Sequence, residues 1–395
     1  MAKPKIRFNG YTEDWEQRKF GEIVEKYEDP VETPTEGYTR LGIRSHAKGT
    51  FHSYVEKGKE LETAKMFRVA ADKFIVNITF GWEHAVAITD ENDAGKLVSH
   101  RFPQYSFNAG MEPKFFRYLI LDENFKHHLE LSSPGGAGRN RVLKLSDMLQ
   151  YKMNFPSEAE QKKIAAYFDD LDTLITLHQR KCEQTKTLKK YMLQKMFPQD
   201  GEKVPQIRFE GFTEDWEQRK LSEIALQTYG GGTPKTANEE FWKGNIPWIQ
   251  SSDLIEERLF NVKPRKYISQ EAISKSSTKL VPQNSIAIVT RVGVGKLAFM
   301  PFSYATSQDF LSLSELKIEP KFAVYALYKM MRLVSNEVQG TSIKGITKDE
   351  LLAKEILIPD CEEQKKIGAY LHNLDHLITL HLRKQDKRKK GSKNT

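Results

Sequence analysis

The chain has 395 residues, which is enough for two or three domains with separate hydrophobic cores. Its 61 Lys and Arg exceed 53 Asp and Glu, and the resulting charge of +8 is compatible with a polyanionic partner although modest for this length. Cys182 and Cys361 are the only cysteines, which excludes a disulfide framework and a cysteine-rich metal site. Since the sequence also lacks a membrane-length apolar run and the apolar core of a signal peptide, we expect a cytoplasmic protein.

A block near the N-terminus returns in the middle of the chain. Residues 4–23 and 205–224, the first repeated block, are identical at 15 of 20 positions. Each copy sets a few apolar anchors, including Trp15 and Trp216, in a polar stretch with a glycine that permits a turn. This pattern favours a segment that docks its tryptophan against a domain over a catalytic role for the indole.

A second block repeats with a helical signature. Residues 161–181 and 364–384, the second repeated block, agree at 15 of 21 positions. Ser157 and Asp360 stand where a helix N-cap is expected, each followed by a Glu-rich first turn. The pattern predicts a helix over about residues 158–195, which would be roughly 55 Å long, and a matching helix after Asp360.

Each predicted helix carries one narrow apolar seam with alternating spacings of three and four residues. The seam consists of Ile164, Phe168, Leu171, Ile175 and His178 in the first helix and of Ile367, Leu371, Leu374, Ile378 and His381 in the second. Because a single seam needs a covering partner, we expect the two helices to pack against each other as an antiparallel spacer. His178 and His381 occupy the same seam position, which favours a polar residue that sets register over a metal or proton site.

The two segments between the repeated blocks, called inserts here, hardly match in sequence. They span about residues 24–155 and 225–358. Elements at corresponding places indicate a shared skeleton that differs by loop insertions and deletions, and such loops commonly carry specificity. The predicted elements are strands at 73–80 and 284–291 and short helices at 113–120 and 320–332, both of which begin with Pro-Lys-Phe.

The candidate catalytic motifs lack the residues or the spacing that catalysis would require. The stretch 293–296 is too short for a phosphate-binding loop and lacks a Ser or Thr after its lysine, so a turn between strands explains it better. The triple glycine at 230–232 indicates a flexible loop rather than a loop that binds a nucleotide. A helix cap accounts for Asp360 and Glu363 better than a nuclease site does, because Ser157 replaces Asp360 in the other copy.

Binding chemistry remains, because basic and Gly-rich loops recur at matching places in both inserts. Backbone N–H groups of such loops can approach phosphates, and Arg, Gln, Asn and Ser side chains can contact base edges. The DNA-binding candidates are Arg40, Arg44, Ser45, His46, Lys48, Arg139, Asn140 and Arg141 in the first insert and Thr233, Lys235, Gln250, Ser251, Ser252, Arg291, Thr341, Ser342, Lys344 and Thr347 in the second.

The combination of motifs resembles the specificity subunit of type I restriction–modification systems. The resemblance rests on the first repeated block, which ends Trp15-Glu16-Gln17-Arg18-Lys19, and on the helix starts at 156–165 and 359–368. It also rests on Gly231-Gly232-Thr233-Pro234 followed by Ile246-Pro247-Trp248-Ile249, which is typical of one group of target-recognition domains. The first insert keeps only Thr33-Pro34 of that pattern, so the two half-sites should differ.

This resemblance implies an α/β (α+β) chain with two target-recognition domains in pseudo-twofold symmetry, separated by two long antiparallel helices that form a coiled-coil spacer. The implied divisions are target-recognition domain 1 at 1–155, a central spacer helix at 156–198, target-recognition domain 2 at 199–358, and a C-terminal spacer helix with a basic tail at 359–395.

The resemblance also implies a non-catalytic subunit. Each domain would read one half of an asymmetric, bipartite double-stranded DNA site, while the helices set the gap and dock two methyltransferase subunits, with motor/nuclease subunits joining the full complex. The chain itself would hold no cofactor or metal, whereas its partners would use S-adenosylmethionine, ATP and magnesium. Two alternatives stay open: a stand-alone nuclease or methyltransferase with an unfamiliar site, and a coiled-coil scaffold that ignores DNA.

Overall fold

The computed structural model describes residues 4, 6–135, 141–199, 201–339 and 345–393, with backbone alone for 337–339 and 383–393. The chain divides into two compact units, one formed by residues 1–176 with 387–395 and the other by residues 177–386. We call the described parts of 1–155 and 199–358 the first and second domain. Within the described ranges, no helix has the length and apolar character needed to cross a membrane.

The first unit is built from short strands and helices followed by the start of a long helix. Its strands are β1 (Glu16–Lys19), β2 (Val24–Tyr27), β3 (Pro30–Glu32), β4 (Tyr38–Ile43), β5 (Thr50–Val55), β6 (Lys65–Arg68), β7 (Lys73–Val76), β8 (Val86–Ile88), β9 (Leu97–Val98), β10 (Gln104–Phe107) and β11 (Lys152–Phe155). Its helices are α1 (Pro113–Leu119), α2 (Glu123–Leu131), α3 (Leu145–Met148) and the first part of α4 (Glu158–Lys195).

The second unit repeats this plan. Its strands are β12 (Glu217–Lys220), β13 (Ala225–Gly230), β14 (Ile246–Ile249), β15 (Lys266–Ile268), β16 (Ser285–Val289), β17 (Leu297–Met300), β18 (Ala305–Thr306), β19 (Phe310–Leu316) and β20 (Glu355–Ile358). Its helices are α5 (Gln270–Ser274), α6 (Pro320–Gln339), α7 (Lys348–Ala353) and α8 (Cys361–Lys393).

Both inserts share one four-stranded sheet. Its strand order is β2-β10-β7-β8 in the first domain and β13-β19-β16-β17 in the second, which is the same topology. All of its neighbouring strands are antiparallel. The predicted common skeleton of the inserts is therefore confirmed, although their sequences differ.

A second sheet distinguishes the domains. In the second domain it has the order β15-β14-β18, and in the first domain the corresponding strands β5-β4-β9 are extended by β6 and β3. The pairs β4–β9 and β14–β18 are parallel in both sheets, which supports this correspondence. The two domains thus diverge in the size of this sheet and in the loops that join its strands.

The predicted elements are present, and some of them have altered bounds. Helix α4 occupies the predicted 158–195, and Asp360 caps α8 by accepting hydrogen bonds from the backbone of its first turn. The strand predicted over 73–80 is wrong beyond Val76, because the Asn77 side chain accepts a hydrogen bond from the Thr79 backbone and turns the chain. Helix α6 extends past the predicted end at 332 to Gln339.

The tryptophans of the first repeated block dock against the domain cores as predicted. Trp216 is 2 % exposed and makes edge contacts with Phe197 and Phe322. Trp15 packs at the edge of the first core, with its ring centroid 6.3 Å from that of Phe115.

The first repeated block binds the residues that lead into each long helix. Strand β1 pairs with β11, which leads directly into α4, and β12 pairs with β20, which leads into α8. Arg7 donates two hydrogen bonds to Glu160, at 2.8 and 2.7 Å, and Arg208 donates two to Glu363, both at 2.8 Å. The two glutamates have side-chain exposures of 1 % and 0 %, so each carboxylate depends on its arginine.

Loss of Arg208 should strongly destabilise the second domain. Arg208→Ala leaves the buried Glu363 carboxylate without its partner, which we expect to lower the free energy of unfolding by about 3 kcal/mol. Urea unfolding followed by circular dichroism measures this change. The control is Arg219→Ala, because the Arg219–Glu217 pair is exposed on both sides and should contribute little. Equal effects of the two substitutions would contradict this account of the junction.

Candidate nucleic-acid interface

The loop between β4 and β5 projects several predicted DNA-binding residues from the first domain. His46 and Ala47 adopt positive φ angles of 62° and 48°, which turn the chain sharply. Their backbone N–H groups donate to the carbonyls of Glu83 and His84, both at 2.8 Å. The Ser45 hydroxyl donates to the Glu83 carboxylate at 2.5 Å. The loop is therefore held against the connection between β7 and β8.

That connection supplies a platform that the sequence did not reveal. His84 is buried, its Nε2 lies 2.8 Å from the Ile120 carbonyl oxygen, and burial lowers the pKa of its imidazole. The Arg141 guanidinium lies over the Trp82 ring, 5.6 Å from its centroid. Three segments thus meet at one edge of the first domain: 44–49, 77–85 and the stretch that begins at Arg141.

The second domain brings three corresponding segments together. The Gln250–Asp253 segment follows β14, and the Lys296 ammonium, which lies in the turn between β16 and β17, donates to the Ser251 carbonyl at 3.4 Å. The Ile346 backbone N–H donates to the Thr290 carbonyl at 2.8 Å, at the start of the same turn. The first two segments follow β14 and β16, the strands that correspond to β4 and β7. The third segment precedes the last strand of each domain. We call the resulting edge of each domain its loop edge.

The turn between β16 and β17 presents Arg291 at its tip. Gly293 has a φ of 93°, a conformation that glycine adopts without strain, and Arg291 is exposed. Val292 beside it is 72 % exposed, which places an apolar side chain next to a cation. The predicted strand-turn at 293–296 is therefore confirmed, and its tip has the mixed chemistry that base edges and thymine methyl groups require.

The remaining candidates occupy varied positions. Arg44, His46 and Lys48 are exposed, and the Arg44 guanidinium donates to the Thr50 carbonyl. Arg40 lies half-buried within β4 rather than at the loop. Thr347 caps α7, since its hydroxyl accepts from the Glu350 backbone at 3.2 Å. The predicted residues Arg139, Asn140, Thr341, Ser342 and Lys344 lie outside the described residues.

The glycines of the Gly-Gly-Thr-Pro loop pack against the domain, whereas other side chains of the loop are exposed. A Cβ at Gly231 would lie 1.8 Å from the Ser307 carbonyl oxygen, so this close approach requires glycine. The Trp248 indole donates to the Gly232 carbonyl at 3.1 Å, and the loop leaves Thr233 and Lys235 exposed. The motif therefore positions two polar side chains rather than cradling a nucleotide with its glycines.

A cleft of about 790 Å³ lies beside this loop in the second domain. The Lys266 ammonium sits 5.5 Å from the Trp242 ring centroid and 5.6 Å from that of Trp248. Cations and aromatic rings on one wall are suited to a nucleic-acid strand, whose phosphates are anionic and whose bases present flat faces. The cleft is lined by Thr236, Trp242, Lys243, Gly244, Arg265, Lys266 and Tyr267.

The seam residues of the long helices are covered in two ways. Ile164 packs against the first core, Phe168 lies against Tyr118, and Ile367, Leu371 and Leu374 belong to the second core. Leu171, Ile175 and Ile378 are half-buried. The expectation that the seams cover each other is therefore wrong for Ile164 and Phe168, which pack on the first domain, whereas the core that contains Leu371 and Leu374 also includes Leu193 of α4.

The second unit contains a contact between the two long helices. Its portion of α4 packs antiparallel to α8, because Lys189 bonds Asp375 while His178, earlier in α4, meets His381, later in α8. The two imidazole Nδ1 atoms are 3.1 Å apart, so each seam histidine meets its own repeat equivalent. Among the described residues, no group of three or more His, Cys, Asp or Glu could hold a metal ion.

The shared skeleton, the repeated junctions and the divergent loop edges define a protein with two similar but separately varied recognition domains. A family model described as "Type I restriction modification DNA specificity domain" matches the chain twice, at residues 12–187 and 213–388. These matches cover most of the sequence. The chain therefore belongs to the family of type I restriction–modification DNA specificity subunits, which set sequence specificity and are not themselves catalytic.

Named relatives and solved structures agree with this assignment. The chain is 23 % identical to the putative type I restriction enzyme MjaX specificity subunit of Methanocaldococcus jannaschii over 98 % of this chain and 93 % of that protein. It is 31 % identical to the MjaIX specificity subunit of the same organism, over 42 % of this chain and 39 % of that one.

Two crystal structures share the fold. The HsdS subunit from Thermoanaerobacter tengcongensis matches with a TM-score of 0.52 at 19 % identity, over 97 % of this chain and 96 % of that one. The S subunit of a type I restriction-modification system from M. genitalium matches with a TM-score of 0.60 at 13 % identity, over 99 % and 97 %.

Removal of the Lys266 charge should weaken DNA binding irrespective of sequence. If this ammonium contacts a phosphate, Lys266→Ala should lower affinity for all duplexes by a similar factor and reduce the slope of log affinity against log salt by about 1. Fluorescence-anisotropy titrations at several salt concentrations measure both quantities. Lys266→Arg should retain the slope, and Lys275→Ala, which removes a lysine paired with Glu271, should leave it unchanged. A wild-type slope in Lys266→Ala would remove the cleft from the interface.

Proposed function

We propose that each domain contacts one half of an asymmetric, bipartite DNA site through its loop edge. The observation that supports this most is the convergence of three corresponding segments in both domains. These segments occupy the same topological positions but carry different side chains, such as Ser45 and His46 in one domain and Gln250 and Ser251 in the other. Equivalent placement suits a common DNA geometry, whereas different side chains suit different bases.

The long helices set the gap between the half-sites in this proposal. Continuous helix over Glu158–Lys195 provides a rigid element, since a helix resists bending far more than a loop of equal length. The ion pair between Lys189 and Asp375 and the contact between His178 and His381 fix the register in which α4 and α8 pack. A fixed register favours one gap length.

Two matching surfaces outside the loop edges fit two copies of one partner. In the first unit, Phe8 makes an edge contact with Tyr167, and the Lys163 ammonium lies 5.6 Å from the Tyr11 centroid. In the second unit, Phe209 and Tyr370 form the same contact, and the Lys366 ammonium lies 4.7 Å from the Phe212 centroid. Because the repeated blocks build both surfaces, we assign them to two methyltransferase subunits.

The chemistry then belongs to the partners. Methyl transfer from S-adenosylmethionine falls to the methyltransferase subunits, and ATP- and magnesium-dependent steps fall to motor/nuclease subunits that complete the assembly. This chain contributes recognition and spacing. A subunit that only recognises DNA and spaces the half-sites can keep its repeated blocks constant while its loops vary.

A gap series tests the proposed function. The purified complex should bind its duplex with a steep salt dependence and lose affinity when one base pair is added to or removed from the gap, because the proposal has the long helices hold the two half-sites at one spacing. Electrophoretic mobility shifts over three gap lengths and several salt concentrations measure this. The chain alone, incubated with DNA, magnesium and S-adenosylmethionine, should neither nick nor methylate it. Affinity that ignores gap length would contradict the proposal, and nicking by the isolated chain would favour the enzyme alternative.

A further inference from the structure

A short motif recurs inside the otherwise divergent inserts. Glu112-Pro113-Lys114-Phe115 and Tyr118 correspond to Glu319-Pro320-Lys321-Phe322 and Tyr325, so five of the seven positions in 112–118 and 319–325 are identical. The motif opens α1 in the first domain and α6 in the second. Its position on two helices of different length indicates a shared task rather than shared overall packing.

In the first unit, this motif binds α4 at two points. The Glu112 backbone N–H donates to the Gln161 side-chain oxygen at 2.9 Å. The Tyr118 hydroxyl lies 2.9 Å from a carboxylate oxygen of Asp169 and 3.1 Å from one of Asp172. Both ends of α1 are therefore attached to the long helix.

In the second unit, the same two points recur on α8. The Glu319 backbone N–H donates to the Gln364 side-chain oxygen at 2.9 Å. The Tyr325 hydroxyl donates to Asp375 at 2.6 Å, and the Lys189 ammonium donates to the other oxygen of that carboxylate at 2.6 Å. Tyr325 is fully buried, so its hydroxyl depends on this acceptor.

The separation of the two points gives them leverage. Gln161 and Asp172 are 11 residues apart, as are Gln364 and Asp375, which corresponds to about 16 Å along a helix. Apolar contacts such as those of Ile164 and Ile367 also hold each domain on its long helix. The tyrosine hydrogen bond adds a directional contact farther along the helix, which restricts the angle between the domain and the helix. The glutamine contact lies near the start of the long helix, whereas the tyrosine contact lies farther along it. The tyrosine contact is therefore the better placed of the two to resist rotation of the domain on the helix.

The tyrosine hydroxyls remain donors over the physiological pH range. Burial, followed by the nearby carboxylates, raises the pKa of Tyr118 and of Tyr325 well above the ordinary value of 10. A change of pH within this range therefore leaves both hydroxyl groups protonated.

We propose that Tyr118 and Tyr325 are positioning residues that lock each recognition domain to its own long helix and thereby restrict the DNA gap that the protein accepts. This inference rests on the proposed function, because it concerns the spacing of the two half-sites. Each lock joins an insert to the second repeated block. Domains with different recognition loops can therefore keep the same angle to their own long helices.

A selection from random DNA tests the locks and requires no defined target sequence. The full complex is incubated with a duplex library in which both half-sites and the gap length are free to vary, and the bound fraction is sequenced. Wild-type protein should enrich one gap length. Tyr118→Phe/Tyr325→Phe keeps the rings but removes both hydroxyls, and we expect it to lose roughly tenfold of its preference for that gap over gaps one base pair longer or shorter. The half-site sequences should stay the same.

Two matched controls separate positioning from stability. Tyr151→Phe removes a hydroxyl that donates to Asp122 within the first domain, at 3.0 Å. Tyr304→Phe removes a buried hydroxyl that bonds Ser285 and Ser312 within the second domain. Both controls should keep the wild-type gap distribution, and thermal melting of each variant verifies that it is folded.

The outcomes distinguish the lock from the function on which it rests. If wild-type protein enriches no bipartite site, the proposed function fails. If it enriches one gap and the double variant enriches the same gap with undiminished preference, the lock fails alone. Equal broadening in Tyr151→Phe or Tyr304→Phe would also overturn the lock, because loss of any buried hydroxyl would then suffice.

Discussion

A buried arginine–glutamate pair holds each half of the molecule together where its long helix begins. Glu160 and Glu363 are almost fully inaccessible, and Arg7 and Arg208 bind them with two hydrogen bonds each. A buried carboxylate is costly without such a partner, so the arginine must be delivered to this place. The pairing of β1 with β11 and of β12 with β20 delivers it. This constraint explains why the first repeated block is similar in both copies: it supplies the arginine and the strand that the start of each long helix requires.

Variation is confined to parts that this junction does not use. The four-stranded sheet has one topology in both domains, whereas the second sheet gains β3 and β6 in the first domain alone. The loop between β4 and β5 is a tight turn, but the corresponding loop after β14 is long and contributes Arg265 to an aromatic and cationic cleft. Recognition chemistry can therefore change without disturbing the angle or start of the long helices. Such a division suits a family in which sequence specificity varies while the partners remain the same.

Sequence periodicity predicted the long helices well but not what covers them. The 3-4 spacing of α4 is a property of one helix, so it could be found locally, and its bounds agree with 158–195. The same spacing shows that a stripe is buried without showing by what, and Ile164 and Ile367 pack on their own domain cores. Two further features were not predicted from the sequence. The positive φ of Ala47 has no sequence signature, and Trp248 meets Lys266 because β14 pairs with β15 across a long loop.

The central claim is that a constant frame carries two independent recognition inserts. Its most direct test replaces residues 24–107 with the corresponding segment of a family member of different specificity, while the repeated blocks, Glu112–Tyr118 and both long helices are retained. The methylated positions in DNA from cells that carry the complete system then report the recognised site. We predict that one half-site changes while the other half-site and the gap stay as they were. A change in both half-sites, a change in the gap, or an unchanged site in an assembled and active complex would contradict the account.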